Sequence, residues 1–158
     1  MGARHFSSMQ LRPEPFDSPD ARFLIAAQQA EVRARGDTGD TSPPREAAMF
    51  TPPDGVFLIA RAGGESLGCG GVCRLDTTRA ELKQMYVAPE ARGRGVGRLL
   101  LERLEAEARA LGYTAIVLET IDLMREAIRL YASSGYTPIP CFGAYADNKV
   151  SRCFEKQL

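Results

Sequence analysis

Residues 89–98, PEARGRGVGR, place three glycines at alternate positions, Gly93, Gly95 and Gly97, among three arginines, Arg92, Arg94 and Arg98. The run leads without interruption into a segment of helical apolar period. A helix start presents unpaired backbone N–H groups and a partial positive charge, and glycine lets a ligand come close to that backbone. The arginines add fixed positive charge, so the chemistry suited to this stretch is the holding of an anion, and a pyrophosphate fits it best. Two other readings stay open. The glycines also suit a tight strand-to-helix turn with arginines solvating it. Gly93 and Gly95 also begin a dinucleotide-type GxGxxG, with Glu119 at the end of the next strand. Against that reading, Arg98 stands where the third glycine belongs, and residues 89–92 separate the strand from the first glycine.

Other chemistries find little support. The four cysteines, Cys69, Cys73, Cys141 and Cys153, include no CxxC pair, and the single histidine, His5, lies near the first residue. On one strand Cys69 and Cys73 would stand about 13 Å apart, too far for a disulfide. All four therefore read as packing residues in a reducing compartment, and no metal site or Cys-His nucleophile is expected. The 158 residues carry 20 basic and 20 acidic side chains, which gives no electrostatic case for nucleic acid or a membrane surface. The longest apolar run, residues 56–60, is too short to span a bilayer, so a cytoplasmic protein is expected.

The elements that must position the loop can be read in order. Ser18, Pro19 and Asp20 supply an N-cap, a first-turn proline and an acid for a helix running to about Arg35 and stopped by Gly36. Residues 36–45 are turn formers and prolines; Asp37 and Asp40 there suit a turn as well as a cation. Residues 56–61 and 67–75, joined across a Gly-Gly pair, predict a hairpin. Strand 81–87 follows, and strict alternation puts Glu81, Lys83, Met85 and Val87 on one face and Leu82, Gln84 and Tyr86 on the other. Val96, Leu99, Leu100, Leu104, Ala108 and Leu111 then recur at helical spacing, with Glu105 and Arg109 as an outward i,i+4 pair and Gly112 as the stop. Residues 115–119 predict a buried strand. Asp122 offers a cap for a helix carrying Met124, Ala127, Ile128 and Tyr131 on one face, and residues 150–156 a closing strand. The order predicts one α/β (α+β) domain over residues 1–158, with a mixed, mostly antiparallel sheet, one parallel strand-helix-strand unit and helices on both faces.

Arg92, Gly95 and Gly97 match the RxxGxG signature of the GNAT superfamily of acetyl-CoA-dependent N-acetyltransferases. The text ELKQMYVAPEARGRGVG, the helix ending in LGY and the later AIRLYASSGY resemble that family continuously from residue 81 to 136. The resemblance implies a GNAT-like fold with acetyl-CoA as acetyl donor and no metal. Backbone N–H groups of Arg94, Gly95, Val96, Gly97 and Arg98 would hold the pyrophosphate, with Arg92 and Gly93 also binding the cofactor. Met85, Tyr86 and Val87 would pair with the pantetheine arm as an added strand.

It further implies roles in catalysis. A lysine-like amine has a pKa of about 10.4, so a base must free its lone pair. Glu81 opens the strand that relatives use and stands at the interval before Arg92 where one branch carries its base; it serves directly or by holding water, and a solvated edge residue is the plain alternative. Tyr131, in the LY of the penultimate helix, matches the tyrosine that protonates the leaving thiolate, and alternatively packs in the core. A backbone N–H of Met85 or Tyr86 would face the developing oxyanion. Relatives often carry Asn where this chain has Met124. No nucleophile has a base beside it, so direct transfer to a primary amine of a small molecule or peptide is expected. A non-catalytic coenzyme A-binding module is the alternative. Substrate would lie against residues 20–50 and 141–149, including Phe142 and Tyr145. Should the chain self-associate, a homodimer is the expected form.

Overall fold

A computed structural model describes residues 8–36 and 45–158. His5, Asp37 and Asp40 lie outside the described residues. One seven-stranded sheet runs through them: β1 (Gln10–Pro13), β2 (Val56–Ala62), β3 (Glu65–Arg74), β4 (Arg79–Val87), β5 (Ala115–Ile121), β6 (Thr137–Ile139) and β7 (Ser151–Gln157). Their spatial order is β1-β2-β3-β4-β5-β7-β6, and every neighbouring pair is antiparallel except β4 and β5. The parallel pair is the one joined through a helix, as a crossover requires. A dinucleotide fold needs a doubly wound parallel sheet, which this is not.

Among the described residues three α-helices cover the sheet: α1 (Pro19–Ala34), α2 (Val96–Ala110) and α3 (Arg125–Ser133). Helix α1 starts on the predicted cap, the Ser18 hydroxyl accepting from the Ala21 N–H at 3.2 Å. Its Ala21 and Leu24 pack with Phe50, Phe57, Ile59, Cys69 and Cys73 on one face of the sheet. On the other face α2 buries Val96, Leu100, Leu101, Leu104 and Ala108, and α3 adds Tyr131, against Leu58, Leu82, Ile116, Leu118 and Phe154. Burying an aliphatic side chain of this size contributes about 1.5–3 kcal/mol, so these two layers fix α1 and α2 on opposite sides of β4.

Several expectations need correction. Strand β1 was not expected, because four residues with one half-buried position carry almost no alternation. The face assignment within β4 holds only to Lys83. Gln84 takes φ +59°, and the register with β3 slips there. This bulge reverses the faces beyond it: Met85 and Val87 join Leu82 toward α2, and Tyr86 faces α1 with Glu81 and Lys83. Asp122 does not cap α3, whose N-cap is Met124 without a side-chain bond; its carboxylate stands 3.6 Å from Arg152. Glu105 is no outward partner of Arg109: it is 4% exposed, accepting from the Tyr136 hydroxyl at 2.9 Å and Lys156 Nζ at 3.0 Å. Leu99 is exposed and Leu101 takes its place in the core. Cys141 and Cys153 form a disulfide with Cα atoms 5.1 Å apart; only Cys69 and Cys73 are the buried free thiols expected of all four. The spacing test could exclude the pair 69–73 but not one brought together by β7.

Candidate active site

The parallel pairing of β4 and β5 covers four positions, from Arg79↔Ala115 to Leu82↔Leu118, and then stops. Beyond it β5 continues against β7 alone, and β4 bends at the Gln84 bulge. The two strands therefore part, and the β5-facing side of residues 85–87 is left without a strand partner. Peptide groups in that condition need hydrogen bonds from elsewhere. The Gln28 side chain from α1 answers one of them, donating to the Met85 carbonyl at 3.2 Å.

A cleft of about 330 Å³ fills the fork, lined by Met85, Tyr86 and Val87 of β4, Gly93 to Arg98 of the loop except Arg94, Gln28 and Glu31 of α1, and Met124, Glu126 and Tyr131 around α3. The loop's glycines do different work. Gly93 and Gly95 sit at φ +75° and +81°, where side chains are disfavoured, and a Cβ at either would meet nothing within 4 Å. They are thus a backbone bend beside open space. Gly95 is the N-cap of α2 and contributes no side-chain bond, so the N–H groups of the helix's first turn have no intrahelical acceptor. Gly97 serves packing, for a Cβ there would lie 3.2 Å from Leu130 Cδ2 of α3. Arg98 reaches the Ser133 hydroxyl at 2.9 Å, tying the first turn of α2 to the last of α3.

Arg92 lines the cleft with its guanidinium engaged by neighbours. Its Nε donates to the Val87 carbonyl at 2.9 Å, its Nη2 pairs with Glu31 at 2.5 Å, and the guanidinium stands 5.8 Å from the Tyr86 ring centroid. Glu31 also pairs with Arg35 at 2.9 Å, and Arg35 with Glu126 at 2.5 Å. The arginines hold both carboxyls below their ordinary range, Glu31 chiefly through Arg92 and Glu126 chiefly through Arg35. This chain of charges brackets the cleft between α1 and α3.

Tyr131 is 5% exposed, its ring edge-on to Tyr136 at 5.8 Å and tilted against Phe154 at 6.3 Å. Burial, with the charge of Glu119 second, raises its phenol well above the usual range, so the hydroxyl stays protonated at neutral pH. Glu81 does not line the cleft. It sits one position before the end of the β4–β5 pairing, across from Cys73 of β3, on the α1 face. Its carboxylate is paired with Lys83 at 2.8 Å.

The cofactor-binding residues expected from sequence thus gather at one cleft with Tyr131, except Arg94, and Glu81 stands apart. Sequence reading missed Gln28, Glu31 and Glu126. Gln28 and Glu31 are polar residues at helical spacing on α1 and Glu126 lies in the first turn of α3; no local pattern names a partner such as Met85, 57 residues from Gln28. No group of His, Cys, Asp and Glu able to hold a metal occurs among the described residues. No helix there is long and apolar enough to cross a membrane.

Comparison with known proteins fits this architecture. The family model described as acetyltransferase (GNAT) family matches residues 16–136. A relative from Azospirillum brasilense, described as an IAA acetyltransferase, is 44% identical over 108 residues, covering 67% of this chain and 70% of its own. A solved structure from Klebsiella pneumoniae, assigned as an acyl-CoA N-acyltransferase, superposes with a TM-score of 0.81 at 29% identity, covering 96% of this chain and 98% of its own. A GNAT family acetyltransferase from Elizabethkingia anophelis, solved with acetyl-CoA bound, has the same fold at 18% identity and a TM-score of 0.70, covering 96% of this chain and 99% of its own.

Proposed function

The chain belongs to the GNAT family of acetyltransferases, and from that premise we propose that it moves an acetyl group directly from acetyl-CoA to a primary amine of a small molecule or peptide. The observation carrying this reading is the single cleft that joins a side-chain-free helix N-terminus, an unpaired strand end and a buried tyrosine. Acetyl-CoA supplies an acyl carbon already activated as a thioester. The N–H groups of Gly93 through Arg98 suit its pyrophosphate, because the space a Cβ would take at Gly93 and Gly95 is open. The peptide groups of Met85 to Val87 suit the amides of the pantetheine arm. A backbone N–H at Met85 or Tyr86, beside the bulge, would donate to charge developing on the thioester oxygen.

Tyr131 keeps its proton until the thiolate needs it, since burial disfavours the phenolate. On the opposite face of β4, Glu81 takes a proton from the incoming amine through water. Residues 1–158 act as one domain in this reading. A second reading, a coenzyme A-binding module without catalysis, draws on one observation: Glu81 is spent in a buried ion pair and does not line the cleft.

The test is an acceptor panel containing the proteinogenic amino acids, tyramine, tryptamine, spermidine, glucosamine and tetrapeptides with free N-termini. Each is incubated with acetyl-CoA and enzyme, and product mass is read. An N-acetylated product that depends on enzyme supports transfer. Tight acetyl-CoA binding with no product from any member supports the module.

A further inference from the structure

Glu81 poses a problem that the fold must answer. It is 8% exposed inside the sheet, with Cys73 opposite on β3 and Val117 opposite on β5. An ionised carboxylate in such a place is strongly disfavoured unless a partner compensates it. The partner is Lys83, two residues on and therefore on the same face, with side chains 10% and 11% exposed and 2.8 Å between charges. Lys83 is the first β4 residue past the last β4–β5 pair, at the strand position where the fork begins. The next residue is the Gln84 bulge. Without that bulge the alternation would carry on undisturbed, and the sole break in β4 falls immediately after the ion pair. Lys83 also donates to the hydroxyl of Tyr145, from the 3-10 turn Gly143–Tyr145 ahead of β7.

We propose that Lys83 is a positioning residue for the Glu81 carboxylate, and that Tyr145 fixes Lys83 in turn. The inference rests on the reading of Glu81 as the base. The ion pair is made at Glu81 Oε2, 2.8 Å from Lys83 Nζ. Lys83 fixes the direction in which the carboxylate is held and supplies the compensating charge that an ionised carboxylate needs in a buried site. The other charged and titratable groups facing the pair are few. Cys73 has its thiol pushed up to about 11, first by burial and then by Glu81 itself, so it stays neutral. Arg45 approaches closely enough to act on both Cys73 and Lys83, opposing protonation of each. Burial works against the charge of Lys83, yet Glu81 and Tyr145 together hold its ammonium above the ordinary lysine range. Lys83 is therefore a cation at neutral pH, with a second cation, Arg45, near it. Tyr145 places the arrangement under the loop of residues 141–149, so the base, its positioning lysine and the proposed acceptor wall are one connected unit.

The experiment is ¹³C NMR of ligand-free protein labelled at glutamate carboxyl carbons, with Glu81 assigned by its absence in Glu81→Gln. Replacing Lys83 by Gln should raise the titration midpoint of Glu81 by about one to three pH units. The acid limb of kcat/KM, measured with the amine that the acceptor panel yields, should rise by the same amount. Lys83→Arg keeps a cation and should bring both back toward the wild-type position, a rescue that a merely space-filling role does not predict. In the wild-type protein, where folding is not in question, the ¹³Cε signal of Lys83 should inflect at the Glu81 midpoint, because paired groups titrate together. No inflection there, or a Lys83→Gln protein whose midpoint and acid limb stay at the wild-type pH, overturns the proposal. Failure of the underlying reading is distinct: Glu81→Gln would keep the wild-type rate and the wild-type acid limb.

Discussion

Gly95 separates two demands that the loop makes on one residue. Its φ of +81° is a left-handed conformation, and a Cβ there meets nothing within 4 Å. Alanine thus brings no clash but carries the left-handed penalty of about 1–2 kcal/mol, which for a domain of this size lowers Tm by about 2–8 °C. The added methyl points into open space and not at protein, so its effect on coenzyme binding depends on whether that space is used. Aspartate tolerates the same backbone better than alanine, and it adds a negative charge to the cradle. Against a phosphate charge about 4 Å away, at an effective dielectric near 20, the repulsion is about 4 kcal/mol, or about a thousandfold in Kd. Calorimetric titration with acetyl-CoA, paired with thermal melts, reads both effects. The expected pattern is crossed: Gly95→Ala loses the more stability, and Gly95→Asp the more affinity. A folded Gly95→Asp protein binding acetyl-CoA within tenfold of wild type would refute the assignment of the cradle.

Three further outcomes follow from the same geometry. Tyr131→Phe should leave acetyl-CoA affinity unchanged, because the ring contacts persist, and lower kcat by about 10²–10⁴ if the hydroxyl is the general acid; steady-state kinetics with any accepted amine reads this. Glu105→Ala removes the partner of Lys156 and Tyr136 at a site 4% exposed and should cost about 3–5 kcal/mol of stability, seen in urea unfolding, whereas Glu105→Gln keeps the Tyr136 bond and should cost less. Glu31 has its folded pKa depressed below its ordinary value of 4.5, first by Arg92, so its contribution is complete above that value and is lost as pH falls through the lower, folded value. Melts from pH 7 down to pH 3 should therefore show wild-type Tm falling more steeply below about pH 4.5 than that of Glu31→Gln.

What could be read from the chain depended on how local each signal was. The α1 cap, the Gly36 and Gly112 stops and the strand-helix-strand unit around the loop all announce themselves within a few residues, and the structure has each of them. The Gln84 bulge had no local mark, since glutamine is not a residue that a left-handed φ selects, and it reversed the faces of Met85, Tyr86 and Val87. Glu105 fitted a surface i,i+4 pattern on its own helix; its actual partners come from Tyr136 and Lys156, which only the folded sheet brings near. The Cys141–Cys153 pair likewise exists because β7 returns beside the segment that follows β6. At the cleft, the coenzyme loop was a contiguous motif and so legible. The α1 residues that complete the cleft, Gln28 and Glu31, belong to it only through contacts with Met85 and Arg92.

The central claim is direct acetyl transfer to an amine, and its most direct measurement is the fate of a labelled acetyl group. Acetyl-CoA carrying ¹⁴C in the acetyl carbonyl would be mixed in a single turnover with excess enzyme and an amine from the panel, quenched in acid, and separated into protein, free acetate and small-molecule amide. Direct transfer predicts label passing from acetyl-CoA to the amide with none on denatured protein at any time. Label held on the protein before it reaches the amide, or label ending only as acetate, contradicts it.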